Sequence, residues 1–241
     1  MITPVVLVCN DEYWLPYALE ASKGFFSRYV IYDVGSTDRT RDIITWFMDT
    51  NKQATYYVRM LPMVAPSVQG CFRNSMIAEA LTEYYFILDG DEVYTPKGYE
   101  ALLRGAEQVH EKGKLYGIVE RMEVDGDLTH RYNRKVRVPH HRVYHRNAVW
   151  TGNHPGEVPY FKQEERHELW IEDAICYHFH NAERSSKDAE VPKRLERRAR
   201  PTYRPGDKVP FNLIETLPIL KYPISGFPVC ANLAAMQSDQ V

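Results

Sequence analysis

Two carboxylates separated by one glycine follow an apolar stretch near the middle of the chain. The stretch Tyr84-Tyr-Phe-Ile-Leu88 predicts a buried strand, and the sequence continues as Asp89-Gly90-Asp91-Glu92. Carboxylate oxygens at positions i and i+2 can hold a hard divalent cation such as Mn²⁺ or Mg²⁺ and bridge it to phosphates. We therefore predict a metal site here, although an acidic surface turn would have the same composition.

A second triplet, Asp125-Gly126-Asp127, shows that the bare pattern is not sufficient evidence for a metal site. No apolar stretch runs directly into it, and an Asp-Gly pair is typical of a tight hairpin turn. We interpret this second triplet as a structural turn.

Asp33 ends another apolar stretch, Tyr29-Val-Ile-Tyr32, and a turn-forming sequence follows it at residues 35–38. A carboxylate at the end of a strand can accept a hydrogen bond from a base N–H or from a ribose hydroxyl. Ser, Thr and Asp residues placed before a helix usually cap its first turn. We therefore predict that Asp33 contacts a ligand and that residues 36–38 cap the next helix.

Two histidines, His178 and His180, are separated by a single residue. If this segment is extended, both side chains lie on the same face, because strand side chains alternate. The pair then serves one ligand, or one ring is packed and the other exposed. Arg184 follows shortly afterwards, with Ser185 and Lys187, and these side chains could meet a diphosphate.

The elements that position these residues alternate between strands and helices as far as Gly113. Apolar stretches predict strands at residues 5–9, 29–32, 54–61 and 84–88. Segments with apolar residues at helical spacing lie between them, which predicts an α/β fold with a mostly parallel sheet and helices on both faces. Ligands of such sheets bind beyond the carboxyl ends of the strands, where all the acidic motifs of this half fall.

Composition excludes several classes of function. The net charge of −2 gives no cationic field for nucleic acid, and the four cysteines are far apart, as is typical of reduced thiols in the cytosol. The first predicted strand begins almost at Met1, so we expect no signal peptide, and no apolar run approaches the roughly 20 residues of a membrane span. We expect a cytoplasmic protein.

A basic run lies between Lys193 and Arg204. Such a run usually forms a solvated helix face. The alternative is a surface that holds a phosphorylated or lipid-linked acceptor, with peripheral contact at the inner face of the membrane.

Four motifs, in this order and at this spacing, resemble the signature of family-2 glycosyltransferases of the GT-A fold. They are Val8-Cys-Asn-Asp-Glu-Tyr-Trp-Leu-Pro16, Tyr32-Asp-Val-Gly-Ser-Thr-Asp-Arg-Thr40, Arg73-Asn74 and Phe86-Ile-Leu-Asp-Gly-Asp-Glu-Val-Tyr94. The resemblance covers roughly residues 4–100, is fainter at residues 142–144 and 150–154, and does not extend into the tail. It implies transfer of a sugar from a nucleoside-diphosphate sugar, most often a UDP-sugar, to a hydroxyl of a saccharide or lipid-linked acceptor.

The same resemblance implies a Rossmann-like GT-A sheet followed by an α+β half. Residues 1–115 would form the nucleotide-sugar-binding half, and residues 116–200 the acceptor-binding half of the same domain. The many prolines of residues 201–228 indicate an irregular C-terminal tail, which we extend to residues 201–241.

For the nucleotide, the resemblance assigns roles by position. Asp33 resembles the aspartate that binds the base, although Val34 replaces the acid or Asn that the family commonly has next. The backbone near Val8 to Asn10 would form a wall of the nucleotide pocket, and Asp11 or Glu12 would line it.

For the metal and the diphosphate, Asp91 resembles the main metal ligand. Asp89 would contact the ribose or a metal-bound water, and Arg73 would contact the diphosphate. A histidine from the second half often completes the metal shell in GT-A enzymes, which gives His178 or His180 that role.

An inverting transfer also needs a general base near the acceptor hydroxyl. The segment Trp150-Thr-Gly-Asn-His-Pro-Gly-Glu157 resembles a Trp-x-Gly-x-His-Glu stretch of some relatives, with Pro155-Gly156 inserted. Glu157 is the first candidate for the base and His154 the second. The alternative is that Glu157 is an ordinary loop carboxylate.

Three other functions share parts of this pattern. A sugar-nucleotidyltransferase would need a Gly-rich, basic loop after the first strand, where residues 10–12 are acidic. A phosphohydrolase with an Asp-x-Asp nucleophile prefers a hydroxyl residue where Val93 stands. A non-catalytic sugar- or nucleotide-binding protein would not need Asp89, Asp91 and a base together.

Overall fold

The computed structural model describes residues 2–63, 68–132, 137–151, 158–160, 168–191, 194–199, 208–224 and 226–238. The strands are β1 (Ile2–Val8), β2 (Arg28–Val34), β3 (Thr55–Leu61), β4 (Tyr84–Ile87), β5 (Glu92–Val93), β6 (Tyr116–Glu123), β7 (His130–Tyr132), β8 (Pro139–His145), β9 (Val149–Thr151), β10 (Val158–Tyr160), β11 (Glu168–His178) and β12 (Lys208–Pro210). The helices are α1 (Leu15–Ser22), α2 (Thr40–Thr50), α3 (Gln69–Ala80), α4 (Pro96–Glu111), α5 (Arg194–Ala199), α6 (Leu213–Thr216) and α7 (Ala231–Ser238). Short 3-10 helices also lie at Asp188–Glu190 and Pro218–Lys221.

One mixed sheet joins the two halves of the chain. Its strand order is β3-β2-β1-β4-β8-β6-β11-β5. The first four strands are parallel, and Val5 of β1 faces Val30 of β2 on one side and Ile87 of β4 on the other. Strand β8 is antiparallel to β4 and β6, whereas β11 is parallel to β6 and antiparallel to β5. The α/β fold with a mostly parallel sheet, predicted from the alternating pattern, is confirmed.

Helices cover both faces of the parallel strands. Successive side chains of a strand point to opposite faces, and in β1 both Val5 and Val6 are buried. Val6 belongs to the same core cluster as Phe47 of α2 and Leu102 of α4, while Val5 belongs to a cluster that includes Met76 of α3 on the opposite face. Within the described residues, no helix is both long and apolar enough to cross a bilayer.

The segment after residue 207 differs from the irregular tail that its prolines suggested. The described part contains β12, α6 and α7, and its leucines belong to a core cluster built around Trp14 and Phe179. The rings of Trp14 and Phe179 stack with centroids 3.9 Å apart. The elements of this segment are short, as expected of a proline-rich chain. Its leucines are nevertheless frequent enough for several of them, including Leu220, to be buried in one cluster.

We predict that this C-terminal packing contributes to stability. Leu220 is fully buried, so Leu220→Ala should lower the free energy of unfolding by about 2–5 kcal/mol through lost burial and a residual cavity. Leu195, which is 49% exposed on α5, is the matched control, and Leu195→Ala should change stability by about 0.5 kcal/mol or less. Urea unfolding measures both, and equal effects would show that the segment is not part of the core.

Candidate active site at the carboxyl edge of the sheet

The acidic motifs of the first half converge at one edge of the sheet. Residues 10–12 follow β1, Asp33 pairs in register with Val8, and residues 89–92 follow β4, the other neighbour of β1. The loops after β1 and β4 are in contact, because a Cβ atom on Gly90 would lie 3.0 Å from the Cβ of Asp11. The sheet topology therefore brings together side chains that are far apart in sequence.

Asn10 fastens the loop after β1 to the loop after β2. Its backbone has a φ of 53°, in the left-handed region that Asn tolerates better than most residues. The Asn10 N–H donates to Ser36 Oγ at 2.8 Å, and the Thr37 N–H donates to Asn10 Oδ1 at 2.8 Å. Helix α1 begins only at Leu15, so the Asn10 side chain joins two loops and does not cap a helix.

Asp33 is fully buried, and its two carboxylate oxygens differ in their surroundings. Its Oδ1 accepts hydrogen bonds from the backbone N–H groups of Gly35 and Ser36, both at 2.9 Å, and lies 3.3 Å from the Arg41 guanidinium. Its Oδ2 accepts no hydrogen bond from any residue that the structure describes. A buried carboxylate held through one oxygen can offer the other to an N–H donor of a ligand.

Asp91, His178 and His180 form a group whose ligand atoms all lie within 4.8 Å of one another. His178 Nε2 lies 3.5 Å from Asp91 Oδ2, and the two imidazole rings stack with centroids 5.3 Å apart. One carboxylate and two imidazoles fit a divalent transition metal such as Mn²⁺, and suit Mg²⁺ less well because Mg²⁺ prefers oxygen ligands. The expected pairing of the two histidines on one face is present.

Asp89 lies outside that group, and arginines hold both of its oxygens. Arg73 Nη2 lies 3.3 Å from Asp89 Oδ1, and Arg142 Nη2 lies 2.9 Å from Asp89 Oδ2. Burial would raise the pKa of Asp89, but Arg142 and Arg73 outweigh it and hold the pKa below its usual range. A contact of Asp89 with a metal, a metal-bound water or a ribose stays a prediction.

A second group of potential metal ligands consists of Glu92, His140 and Cys176. Arg142 already pairs with one oxygen of this carboxylate, because the guanidinium donates to Glu92 Oε1, which also lies 2.7 Å from His140 Nε2. Glu92 Oε2 has no hydrogen-bond partner among the described residues. Burial nevertheless raises the pKa of Glu92 to about 7. A metal here would be repelled by the buried guanidinium, so we interpret this group as a structural network.

Arg184 joins the loops after β1 and β4. Its guanidinium lies 2.7 Å from Asp11 Oδ1 through Nε and 2.7 Å from Asp91 Oδ2 through Nη1. Two buried carboxylates this close repel each other, and the shared guanidinium compensates for that repulsion. The contact of Arg184 with a diphosphate stays a prediction.

The chain after β11 covers the loop after β1. Glu12 Oε1 accepts hydrogen bonds from the N–H and the Oγ of Ser186, at 2.8 and 2.6 Å. Arg194 donates to the Cys9 carbonyl at 2.7 Å and lies 3.2 Å from Asp11 Oδ1. Arg194 is thus buried, and the interpretation of the whole basic run as a solvated face is wrong at this residue.

Burial and neighbouring charges shift the pKa values of the metal group in different directions. Burial would raise the pKa of Asp91, but Arg184 and His178 outweigh it and keep the pKa below its usual range. Burial would lower the pKa of His178, but Glu123 and Asp91 outweigh it and raise the pKa. Burial and the adjacent His178 lower the pKa of His180 to about 4. The lowered pKa favours the neutral form of the His180 imidazole, which is the form that binds a metal.

Trp150 lies beside this site. Its indole N–H donates to the Tyr85 hydroxyl at 2.8 Å, and its ring lies 5.2 Å from the Arg73 guanidinium carbon. His154 and Glu157, the two candidates for the general base, lie outside the described residues, and their role stays a prediction.

Several site residues were missed by sequence reasoning. Arg142, His140, Arg194 and Glu123 all act through partners that are at least 40 positions away in the chain. Their only sequence signal was the faint resemblance near Arg142, since nothing local distinguishes a buried charge from an exposed one.

Comparison with known proteins gives a family and a fold. A family model described as glycosyl transferase family 2 matches residues 5–170. No curated protein sequence matches the chain.

Solved structures with the same fold include two glycosyltransferases. The structure of S. aureus TarS 1-349 aligns with a TM-score of 0.52 at 14% identity, over 75% of this chain and 61% of that one. The same TarS fragment in complex with UDP-GlcNAc aligns with a TM-score of 0.52 at 15% identity, over 74% of this chain and 58% of that one. The mannosyltransferase PcManGT from Pyrobaculum calidifontis, in complex with GDP-Man and Mn²⁺, aligns with a TM-score of 0.52 at 11% identity, over 78% of this chain and 59% of that one. At such identities the likeness shows the fold alone, and the chain spans about three fifths of the length of the chains in these structures.

Proposed function

Because the chain belongs to glycosyl transferase family 2, we propose that it transfers a sugar from a nucleoside-diphosphate sugar to a hydroxyl acceptor. The observation that carries the proposal is the convergence of two unlike sites at one edge of the sheet. A buried carboxylate oxygen of Asp33, able to accept a hydrogen bond, lies at the end of β2, and a carboxylate–imidazole group around Asp91 lies beyond β4. A nucleoside-diphosphate sugar has a base for the first site and a diphosphate for the second.

The nucleotide is UDP in this proposal. The N3–H group of uracil is a donor that matches Asp33 Oδ2, which is fully buried and otherwise unpaired among the described residues. The structural relatives TarS and PcManGT are described with UDP-GlcNAc and GDP-Man, and guanine also has an N–H donor. Measured affinities for UDP and GDP decide between the two bases.

The diphosphate lies next to Asp91, His178 and His180 in this proposal, and these residues would hold the cation, Mn²⁺ in preference to Mg²⁺. A divalent cation there supplies positive charge to the leaving diphosphate as the glycosidic bond breaks. Arg184 and Arg73, both at the same edge, would bind diphosphate oxygens. Guanidinium groups suit this role because they present several N–H donors in a fixed plane.

The transfer inverts the anomeric carbon in this proposal. The acceptor oxygen forms a bond to that carbon, the bond to the diphosphate oxygen breaks, and the acceptor proton passes to a base. Glu157 is the proposed base and His154 the second candidate, both from the sequence. The acceptor is a saccharide or a lipid-linked saccharide. We place the reaction in the cytoplasm, in contact with a membrane where the acceptor is lipid-linked.

We predict that the metal acts through Asp91. Asp91→Asn keeps the size of the side chain but removes the charge, so it should abolish Mn²⁺-dependent turnover of the donor and weaken Mn²⁺ binding in calorimetry by at least about 10-fold. Asp127→Asn is the control, because Asp127 belongs to the other Asp-Gly-Asp triplet and caps Thr129 and His130. Equal losses in both variants would remove Asp91 from the metal site.

The proposed binding site for the nucleotide base, around Asp33, yields a second prediction. In Asp33→Asn the amide oxygen can replace Oδ1, which turns an N–H₂ donor towards the ligand in place of Oδ2. UDP affinity should fall by about 10- to 100-fold, since a hydrogen bond to a charged group contributes about 1.5–3 kcal/mol. Calorimetry with UDP measures this, and Asp42→Asn, at an exposed carboxylate paired with Arg39, should leave the affinity unchanged. Unaltered UDP binding by Asp33→Asn would show that the uracil base binds elsewhere.

The third prediction concerns the general base. Glu157→Gln should bind the donor normally while kcat falls by about 10²-fold or more, because removal of the acceptor proton has about that effect on rate. His154→Ala should have the smaller effect. Initial rates at saturating donor compare the two variants. Near-normal kcat in Glu157→Gln together with an inactive His154→Ala would identify His154 as the base, and two active variants would exclude both.

A further inference from the structure

Glu123 is a buried carboxylate that neither the sequence motifs nor the family resemblance singled out. It is the last residue of β6, and the parallel register of β6 and β11 places it directly beside His178. The backbone is fastened at the same point, because the Val124 N–H donates to the His178 carbonyl at 3.0 Å. The two side chains therefore leave adjacent strands on the same face of the sheet.

Glu123 holds His178 through one ring nitrogen. His178 Nδ1 lies 2.9 Å from Glu123 Oε2, while Glu123 Oε1 lies 2.8 Å from Arg121 Nε. An ionised carboxylate can only accept hydrogen bonds, so the proton of this bond belongs to Nδ1. In a neutral imidazole the lone pair is then on Nε2, the nitrogen that lies 3.5 Å from Asp91 Oδ2.

We propose that Glu123 is a positioning residue that fixes His178 as the Nδ1–H tautomer and turns Nε2 towards the cation held by Asp91. The inference rests on the proposed metal dependence and deepens it. It also decides between the two histidines, because His178 is oriented by a carboxylate and becomes the principal imidazole ligand. No residue in the described part of the chain hydrogen-bonds the ring of His180, which only stacks on His178.

A carboxylate behind a metal-binding histidine has two physical effects. It prevents the ring from rotating or changing tautomer, and its charge makes the imidazole a better electron-pair donor. The geometry alone also permits a simpler role, in which Glu123 and His178 form a buried ion pair that stabilises the junction of β6 and β11. Both roles keep the proton of this contact on Nδ1, so the affinity for Mn²⁺ separates them, because a merely structural pair does not strengthen metal binding.

The first test uses ¹⁵N NMR of the metal-free protein at about pH 9, above the ordinary titration range of histidine. The wild-type protein should show His178 as the Nδ1–H tautomer, with signals assigned by comparison with His178→Gln. Glu123→Gln should keep this tautomer, because the amide oxygen still accepts from Nδ1. Glu123→Ala should release it to the Nε2–H tautomer or a mixture. An Nε2–H tautomer in the wild-type protein, or no change in Glu123→Ala, would overturn the inference.

The second test measures Mn²⁺ binding by calorimetry in the absence of nucleotide. Glu123→Ala should weaken binding by about 10- to 100-fold, which is typical of lost carboxylate support behind a ligand histidine. Glu123→Gln should recover most of the affinity. Glu120→Ala is the matched control on the same strand, because Glu120 is paired with Arg137 and should not affect binding. Wild-type affinity in a folded Glu123→Ala would contradict the positioning role.

The two tests also separate this inference from the proposed function. If the wild-type protein binds no Mn²⁺, the proposed metal dependence fails, and the NMR measurement still decides whether Glu123 sets the tautomer. Circular dichroism melts of each variant confirm that the compared proteins are folded. A stable Glu123→Ala with an altered tautomer and weakened Mn²⁺ binding supports the full inference.

Discussion

Several carboxylates are buried within one edge of a sheet, and the surrounding structure depends on how their charges are compensated. Asp11, Asp33 and Asp91 are almost inaccessible to solvent. An ionised carboxylate in such a place is unfavourable by several kcal/mol unless it is paired or hydrogen-bonded. Arg184 lies between Asp11 and Asp91, and backbone N–H groups donate to Asp33, so each negative charge is compensated by neighbouring groups.

Three of the arginines that compensate these carboxylates come from the second half of the chain, which couples the site to the fold. Arg142 lies on β8, Arg184 follows β11, and Arg194 begins α5, whereas Asp89, Asp91 and Asp11, which these arginines contact, lie in the first half of the chain. The acidic edge can therefore be stable only when the mixed sheet has closed and the chain after β11 has packed over it. Removing Arg184 would weaken the compensation of two buried carboxylates at once, which is more harmful than the loss of an exposed ion pair.

Sequence reasoning located the acidic edge because the relevant signals are local. An apolar stretch that ends in Asp33 or Asp89 predicts both the strand and the position of its carboxyl end. The same reasoning missed Glu123 and Arg194, because their burial arises from pairing with distant strands and loops. It also misjudged the C-terminal segment, where prolines indicated irregular chain and the burial of Leu220 depends on a cluster around Trp14.

Charge balance links the two ligands of the proposed reaction. Asp91 Oδ2 lies 2.7 Å from the Arg184 guanidinium and 3.5 Å from His178 Nε2. A metal cation that binds this oxygen therefore competes with Arg184 for it, and the two positive charges repel each other. A diphosphate offers Arg184 other anionic oxygens, which weakens its competition for Asp91. Under the proposed function, each ligand therefore favours the binding of the other, and the coupling is reciprocal by thermodynamic necessity. The arginine that compensates the buried carboxylates is then also the group through which donor and cation influence each other.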